Sequence, residues 1–177
     1  GETVHLPRTL ESPAAEETPE AIIRPTKPAQ KAPETTLHSL DEARRMLADG
    51  LVEPAIATLT RILSTDWKRD ALLGDAYLMK QDYLVAQEWY LAGLQKANPP
   101  PEGLLADLAT LQQMHLKDPQ AARQTWLTFL EHYPEGLAAP RAHLGLAKWA
   151  LSEGKWEQSQ IHLWTILNKF SDSSQSA

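Results

Sequence analysis

The chain has 177 residues, 42% of them hydrophobic, and a formal net charge of −6, which is enough for one domain with a sizeable core and too little for two full ones. Its acidity is spread along the whole length with no Lys/Arg stripe of the kind that neutralises phosphates, so nucleic acid is not an expected partner. The absence of cysteine excludes disulfides, thiol catalysis and thiolate metal sites, and no apolar run approaches the roughly 18 residues of a membrane-spanning helix.

Residues 1–37 form the first segment. Six of the 13 prolines fall there (Pro7, Pro13, Pro19, Pro25, Pro28 and Pro33), among Glu, Lys, Ala and Thr. With so few large apolar side chains to bury, the segment cannot offset its ordering entropy, and a disordered or extended Pro-rich linker is expected. In polyproline II geometry it would reach on the order of 100 Å as a spacer. A tether and an unused terminus fit this composition equally. The sequence starts at Gly1 with no basic-then-apolar leader, so any membrane anchor is expected outside this chain.

From about Leu37 the apolar period becomes helical, and the chain aligns with itself in four windows. The first reads Ala43, Met46, Gly50, Val52, Ala55, Leu59, Ile62, and the last reads Ala147, Ala150, Gly154, Trp156, Ser159, Leu163, Ile166 at identical spacings. The second carries Gly74, Tyr77, Tyr83, Ala86, Tyr90 and Gly93; a looser third carries Ala122, Trp126 and Phe129. The small residues Ala55, Ala86, Ala122 and Ser159 lie 31, 36 and 37 positions apart. At each of them two helices can approach closely, while the residues four and seven further on fill the space between. One place later Leu63, Leu94, Leu130 and Leu167 recur, and each is expected to pack against the unit that follows. Residues 38–171 thus read as eight helices in four units, and 172–177 as a polar tail.

This pattern resembles the tetratricopeptide repeat, a 34-residue helix-turn-helix unit. The match is fullest at Leu73-Gly74, Tyr77, Ala86 and Tyr90, and the first large position of the signature is lost to Ser39, Asp70, Ala106 or His143. The resemblance implies an all-α, right-handed superhelix of about four repeats whose first helices line a concave groove for a protein or peptide partner. Carried over residue by residue, the groove positions hold Arg44, Leu47, Lys68, Asp75, Met79, Arg141, Lys148 and Leu151. The carboxylate clamp of chaperone-type repeats is not supported, because its Lys and Asn positions hold Leu40 and Arg44. The stretch Phe129–Gln160 further resembles repeats of bacterial envelope proteins associated with Tol-Pal, outer-membrane assembly or pilus biogenesis.

No residue set points to catalysis. The six histidines show no metal-ligand spacing, adjacent carboxylates such as Asp41-Glu42 diverge on a helix, and no glycine-rich phosphate loop occurs. No cofactor is expected. The repeat assigns Tyr77, Tyr83, Tyr90, Trp126 and Trp156 to the interior, and leaves Trp67, Trp89, Trp149 and Trp164 unassigned. Trp164 lies beside Leu167 and Phe170 on the face that would meet a fifth unit, a face expected to seek a partner or a second copy of the chain. The expectation is a non-enzymatic protein-interaction scaffold in a bacterial envelope assembly such as pilus, secretion or cell-wall machinery, located in the periplasm or anchored facing it. The alternatives are a cytoplasmic adaptor, chaperone or regulatory module of a larger protein, and a glycan binder using the unassigned tryptophans.

Overall fold

A computed structural model describes residues 32–170 except 64 and 65, with side chains from residue 38 onward; residues 1–31 of the expected linker and the tail at 172–177 lie outside the described residues. Eight α-helices follow one another: α1 Ala32–Ala48, α2 Val52–Arg61, α3 Trp67–Met79, α4 Tyr83–Lys96, α5 Glu102–Met114, α6 Pro119–His132, α7 Ala139–Ser152 and α8 Trp156–Lys169. No strand occurs among the described residues. The first helix begins at Ala32, ahead of the expected boundary at 38.

Four hairpins close with nearly the same turn. A single left-handed residue stands two places before each second helix: Gly50 (φ 76°), Gln81 (φ 64°), Lys117 (φ 52°) and Gly154 (φ 70°). In three turns the next amide reaches back five residues, Leu51 to Met46, Asp82 to Tyr77 and Lys155 to Ala150, which closes the orphan carbonyls of the first helix. The third turn is one residue longer, with Asp118 N–H donating to the Gln112 carbonyl. Asp118 also caps α6, its carboxylate accepting from the Gln120 and Ala121 amides at 3.2 and 2.9 Å. The four small residues aligned in the sequence then take one role: Ala55, Ala86, Ala122 and Ser159 are all buried, and each donates its amide to the carbonyl of the residue after the left-handed one.

Each helix packs on its chain neighbour, and three buried clusters follow along the chain. Leu40, Ala43, Leu59 and Leu73 form the first, Tyr90, Leu104, Leu108 and Leu111 the second, and Trp126, Phe129, Ala142 and Leu146 the third. Tyr77 packs against the first two and Leu94 against the last two, so the apolar interior is continuous.

At Asp70, where the repeat that the sequence resembles has a large apolar residue, the carboxylate is buried completely. Its Oδ1 accepts from Arg69 Nε and Nη2 at 3.0 and 2.8 Å, and its Oδ2 makes ion-pair contact with Lys96 Nζ at 2.5 Å without aligned hydrogen-bond geometry. Arg69 Nη1 also donates to the Ile62 carbonyl at 3.1 Å, so this one carboxylate ties the end of α2, the start of α3 and the end of α4 together.

Three packing expectations fail: Leu163, assigned to the space between its two helices, is 39% exposed, and Leu63 and Trp156 also miss their places. Leu63 does not pack on the next unit but is 98% exposed: α2 stops at Arg61 and Ile62 turns to extended backbone (φ −77°, ψ 109°), so Leu63 lies beyond the helix whose spacing assigned it a face. Trp156 is not interior but 68% exposed. Its counterpart Tyr83 owes its partial burial to the following hairpin, where His115 stacks on the ring at 4.5 Å and 27°; α8 has no described helix after it to do the same.

Candidate functional site

The first helices bring together a row of charges. Arg44 on α1 is exposed and pairs with Asp41 at 3.3 Å, a solvent-facing contact of small energetic weight. Asp75 on α3 is half-buried and accepts the Tyr90 hydroxyl at 2.7 Å. Burial raises its pKa, against the lowering effects of the Tyr90 hydrogen bond and the Arg44 charge. Asp107 on α5 reaches solvent yet is crowded by protein atoms, and its pKa is likewise raised by burial and then by the Asp75 charge, with Arg141 opposing. On α7, Arg141 donates to Thr110 Oγ1 at 2.6 Å. The row runs base, acid, acid, base over four helices, with the two carboxylates at its centre incompletely neutralised.

Tyr90 positions the centre of that row. It is fully buried and its pKa is pushed up by burial and by the charges of Asp75 and Asp107, so it stays a hydrogen-bond donor at any ordinary pH. Its ring needs the missing side chain of Gly74: a Cβ there would fall on the tyrosine ring itself. On the other side of α5, Trp126 plays a related part, donating Nε1–H to Gln113 at 3.2 Å against Gly145, where a Cβ would collide with the indole. A concavity of about 230 Å³ opens there, between Thr110, Gln113, Met114, Arg141, Leu144 and Lys148. Behind it Gln112, nearly buried, joins α4 to α6 by donating to Gln87 at 3.2 Å and accepting from Thr125 at 2.7 Å.

The other expected groove residues are dispersed. Leu47 is buried in the first core cluster and does not reach solvent. Lys68 is exposed with its ammonium 6.0 Å from the Trp67 ring, while Met79 and Leu151 are more than two-fifths exposed. Asp107 and Thr110 were missed because the longer third turn breaks the register from which groove positions are counted. No group of three or more His, Cys, Asp or Glu is placed to hold a metal among the described residues, and no helix among them is long and apolar enough to cross a membrane.

Three of the four unassigned tryptophans have cations of the same chain against their rings. Trp149 has Arg123 at 4.4 Å and Lys155 at 4.3 Å from its ring, Trp89 has Arg69 at 5.7 Å, and Trp67 has Lys68 at 6.0 Å. Of these rings Trp149 has its cations close, while those at Trp89 and Trp67 stand near the outer limit of such a contact. Trp164 has no such cover and is 65% exposed on α8, next to Leu167 at 68%. Phe170 does not share that exposure: it is half-buried, packs on the third core cluster and lies 6.2 Å from His143.

His143 on α7 and His162 on α8 face each other with Nδ1 atoms 3.0 Å apart, so at least one ring must be neutral to accept. Both pKa values are lowered, chiefly by burial, and for His143 also by the charges of His162 and Lys169. A folded-state value below the unfolded one means that the unfolded chain binds more protons as pH falls, so this contribution is intact above the ordinary histidine range near 6.5 and is lost on acidification. Urea unfolding should accordingly give a lower midpoint at pH 5.5 than at pH 7.5, and a His143→Gln, His162→Gln variant should show a smaller difference. Compared with family models and with curated proteins, the chain matches none, so its chemistry rests on its own residues.

Proposed function

We propose that this chain is a non-enzymatic scaffold of the tetratricopeptide type, its hairpins winding into a right-handed superhelix whose first helices hold an extended segment of a partner protein. The observation that carries this reading is the row Arg44, Asp75, Asp107 and Arg141, built on α1, α3, α5 and α7 and centred on carboxylates with raised pKa values. A basic partner residue is held at Asp75 and Asp107, an acidic one at Arg141 and Lys148, with a side chain seated in the concavity beside Trp126. The resemblance of Phe129–Gln160 to envelope repeats supports a setting in bacterial pilus, secretion or cell-wall machinery, with the Pro-rich segment ahead of α1 as a tether to an anchor outside this chain and the array facing the periplasm.

Selection of a random peptide library on the intact chain tests the groove. Enriched peptides should carry Lys or Arg near the middle with Asp or Glu to one side. Asp75→Asn, Asp107→Asn should weaken the best of them roughly tenfold or more, a loss typical of one or two charge pairs. Binding should also weaken as pH falls into the upper carboxylate range, because protonation removes the charge that the partner's cation meets. Selected peptides without a charge pattern, bound equally by the variant, would sink the reading.

A further inference from the structure

We propose that two copies of this chain pair antiparallel through α8, each covering the other's open stacking face. The groove on that face, about 440 Å³, is formed by Pro140, Arg141 and Leu144 of α7 with Leu163, Ile166 and Leu167 of α8, and its surface is almost wholly apolar. The same face in the preceding hairpins shows what such a groove takes. Leu94 on α4 is covered in clusters containing Leu104, Leu105 and Leu108 of α5, and Leu130 on α6 packs in the cluster of Ala139, Ala142 and Leu146 of α7. The occupant is in both cases a helix with an apolar stripe.

α8 is itself such a helix. Trp156, Gln160, Leu163 and Leu167 follow at spacings of four, three and four, which is the seam of a two-helix pair, and all four are exposed. Reversed against itself, the seam registers Trp156 with Leu167 and Gln160 with Leu163 at both ends, which is the self-complementarity that a two-fold axis demands. Trp164 flanks the seam and comes beside Glu157 of the other copy.

The size of the face favours a folded copy over a short peptide. At about 200 Å² per fully exposed large side chain, Trp156, Trp164, Leu163, Leu167 and Leu144 present on the order of 600 Å² of apolar surface. That stands at the top of the range of about 300–600 Å² that a monomer ordinarily leaves open in its largest patch. At the roughly 65% apolar share of homodimer interfaces it corresponds to about 900 Å² per partner, against about 800 Å² in a standard complex. This pairing shares Arg141 and Leu144 with the concavity on the first helices, but dimerisation and peptide binding are read by separate measurements, so either can fail without the other.

Sedimentation equilibrium of the full chain tests it. The wild type should be dimeric at tens of micromolar, and Trp164→Glu, Leu167→Glu should raise the dissociation constant roughly 100-fold with an unchanged far-ultraviolet spectrum. Because the chain has no cysteine, an equimolar mixture of Trp156→Cys and Leu167→Cys proteins reports the register directly and needs no charge in the face: oxidation should give mainly the mixed disulfide. A wild type that stays monomeric at several hundred micromolar overturns the proposal and leaves the groove to a different protein. A dimer that survives the double glutamate, or that yields no mixed disulfide, overturns it by placing the interface elsewhere.

Discussion

Phe129→Ala should lower folding stability by about 3–5 kcal/mol, the cost of removing a fully enclosed aromatic ring and leaving its cavity. Phe129 has no solvent exposure and lies at the middle of the third core cluster. Its ring meets Trp126 edge-on at 5.8 Å and 76°, and Tyr133 at 5.8 Å and 48°. Tyr133 in turn donates to the Pro100 carbonyl at 2.7 Å, so the ring also supports the passage from α4 into α5. For a domain whose total stability is of the usual order of 5–15 kcal/mol, such a loss approaches the whole margin. Urea unfolding followed by circular dichroism measures it. Phe129→Leu, which keeps most of the volume, should cost about 1–2 kcal/mol. An alanine variant within 1 kcal/mol of wild type would mean that the cluster collapses freely around the gap.

Gly74→Ala is expected to cost about 2–3 kcal/mol, because one added methyl must displace the enclosed Tyr90 ring. Ordinarily this exchange inside a helix is favourable by up to about 1 kcal/mol, so the sign of the result separates packing from propensity. The second consequence is local: when the ring moves, its hydroxyl leaves Asp75, and the carboxylate at the centre of the charged row loses its fixed position. Combining Gly74→Ala with Tyr90→Leu should recover part of the stability, since the two changes act on one space, while Asp75 remains without its donor. A double-mutant cycle with coupling of about 1 kcal/mol or more is the expected signature, and strict additivity would show that the two residues do not meet.

Much of the hairpin architecture was legible in the sequence because it depends on small residues and short turns, which leave fixed spacings. Ala55, Ala86, Ala122 and Ser159 each occupy the same bonded place, as their alignment suggested. Three departures have a common origin in context that a single unit does not carry. Trp156 needed a following hairpin to be interior, and Leu63 needed α2 to continue two residues beyond its end. Asp107 could not be counted into the row because the extra residue in the third turn offsets its helix from the small residue that anchors the count. The tryptophans left unassigned were illegible for a different reason. Arg123 and Lys155 reach Trp149 from separate elements, and nothing in the local sequence announces a contact 26 or six positions away. Asp70 was recognisable as a departure from the signature, but the lysine that compensates it lies a full helix later.

The backbone bonds that close each turn begin and end inside the hairpin that owns them. Leu51 answers Met46 and Lys155 answers Ala150 without reference to any neighbour, and among the described residues each hydrogen bond between hairpins has a side chain on at least one end, as where Arg69 meets the Ile62 carbonyl. A gene coding for such a chain can therefore gain or lose a whole hairpin without severing any of these turn bonds in those that remain. Length can then change in steps of one unit, and what must be reconciled after each step is the set of side-chain contacts at the new junction, of the kind Arg69 makes with Ile62 and Gln112 with Gln87.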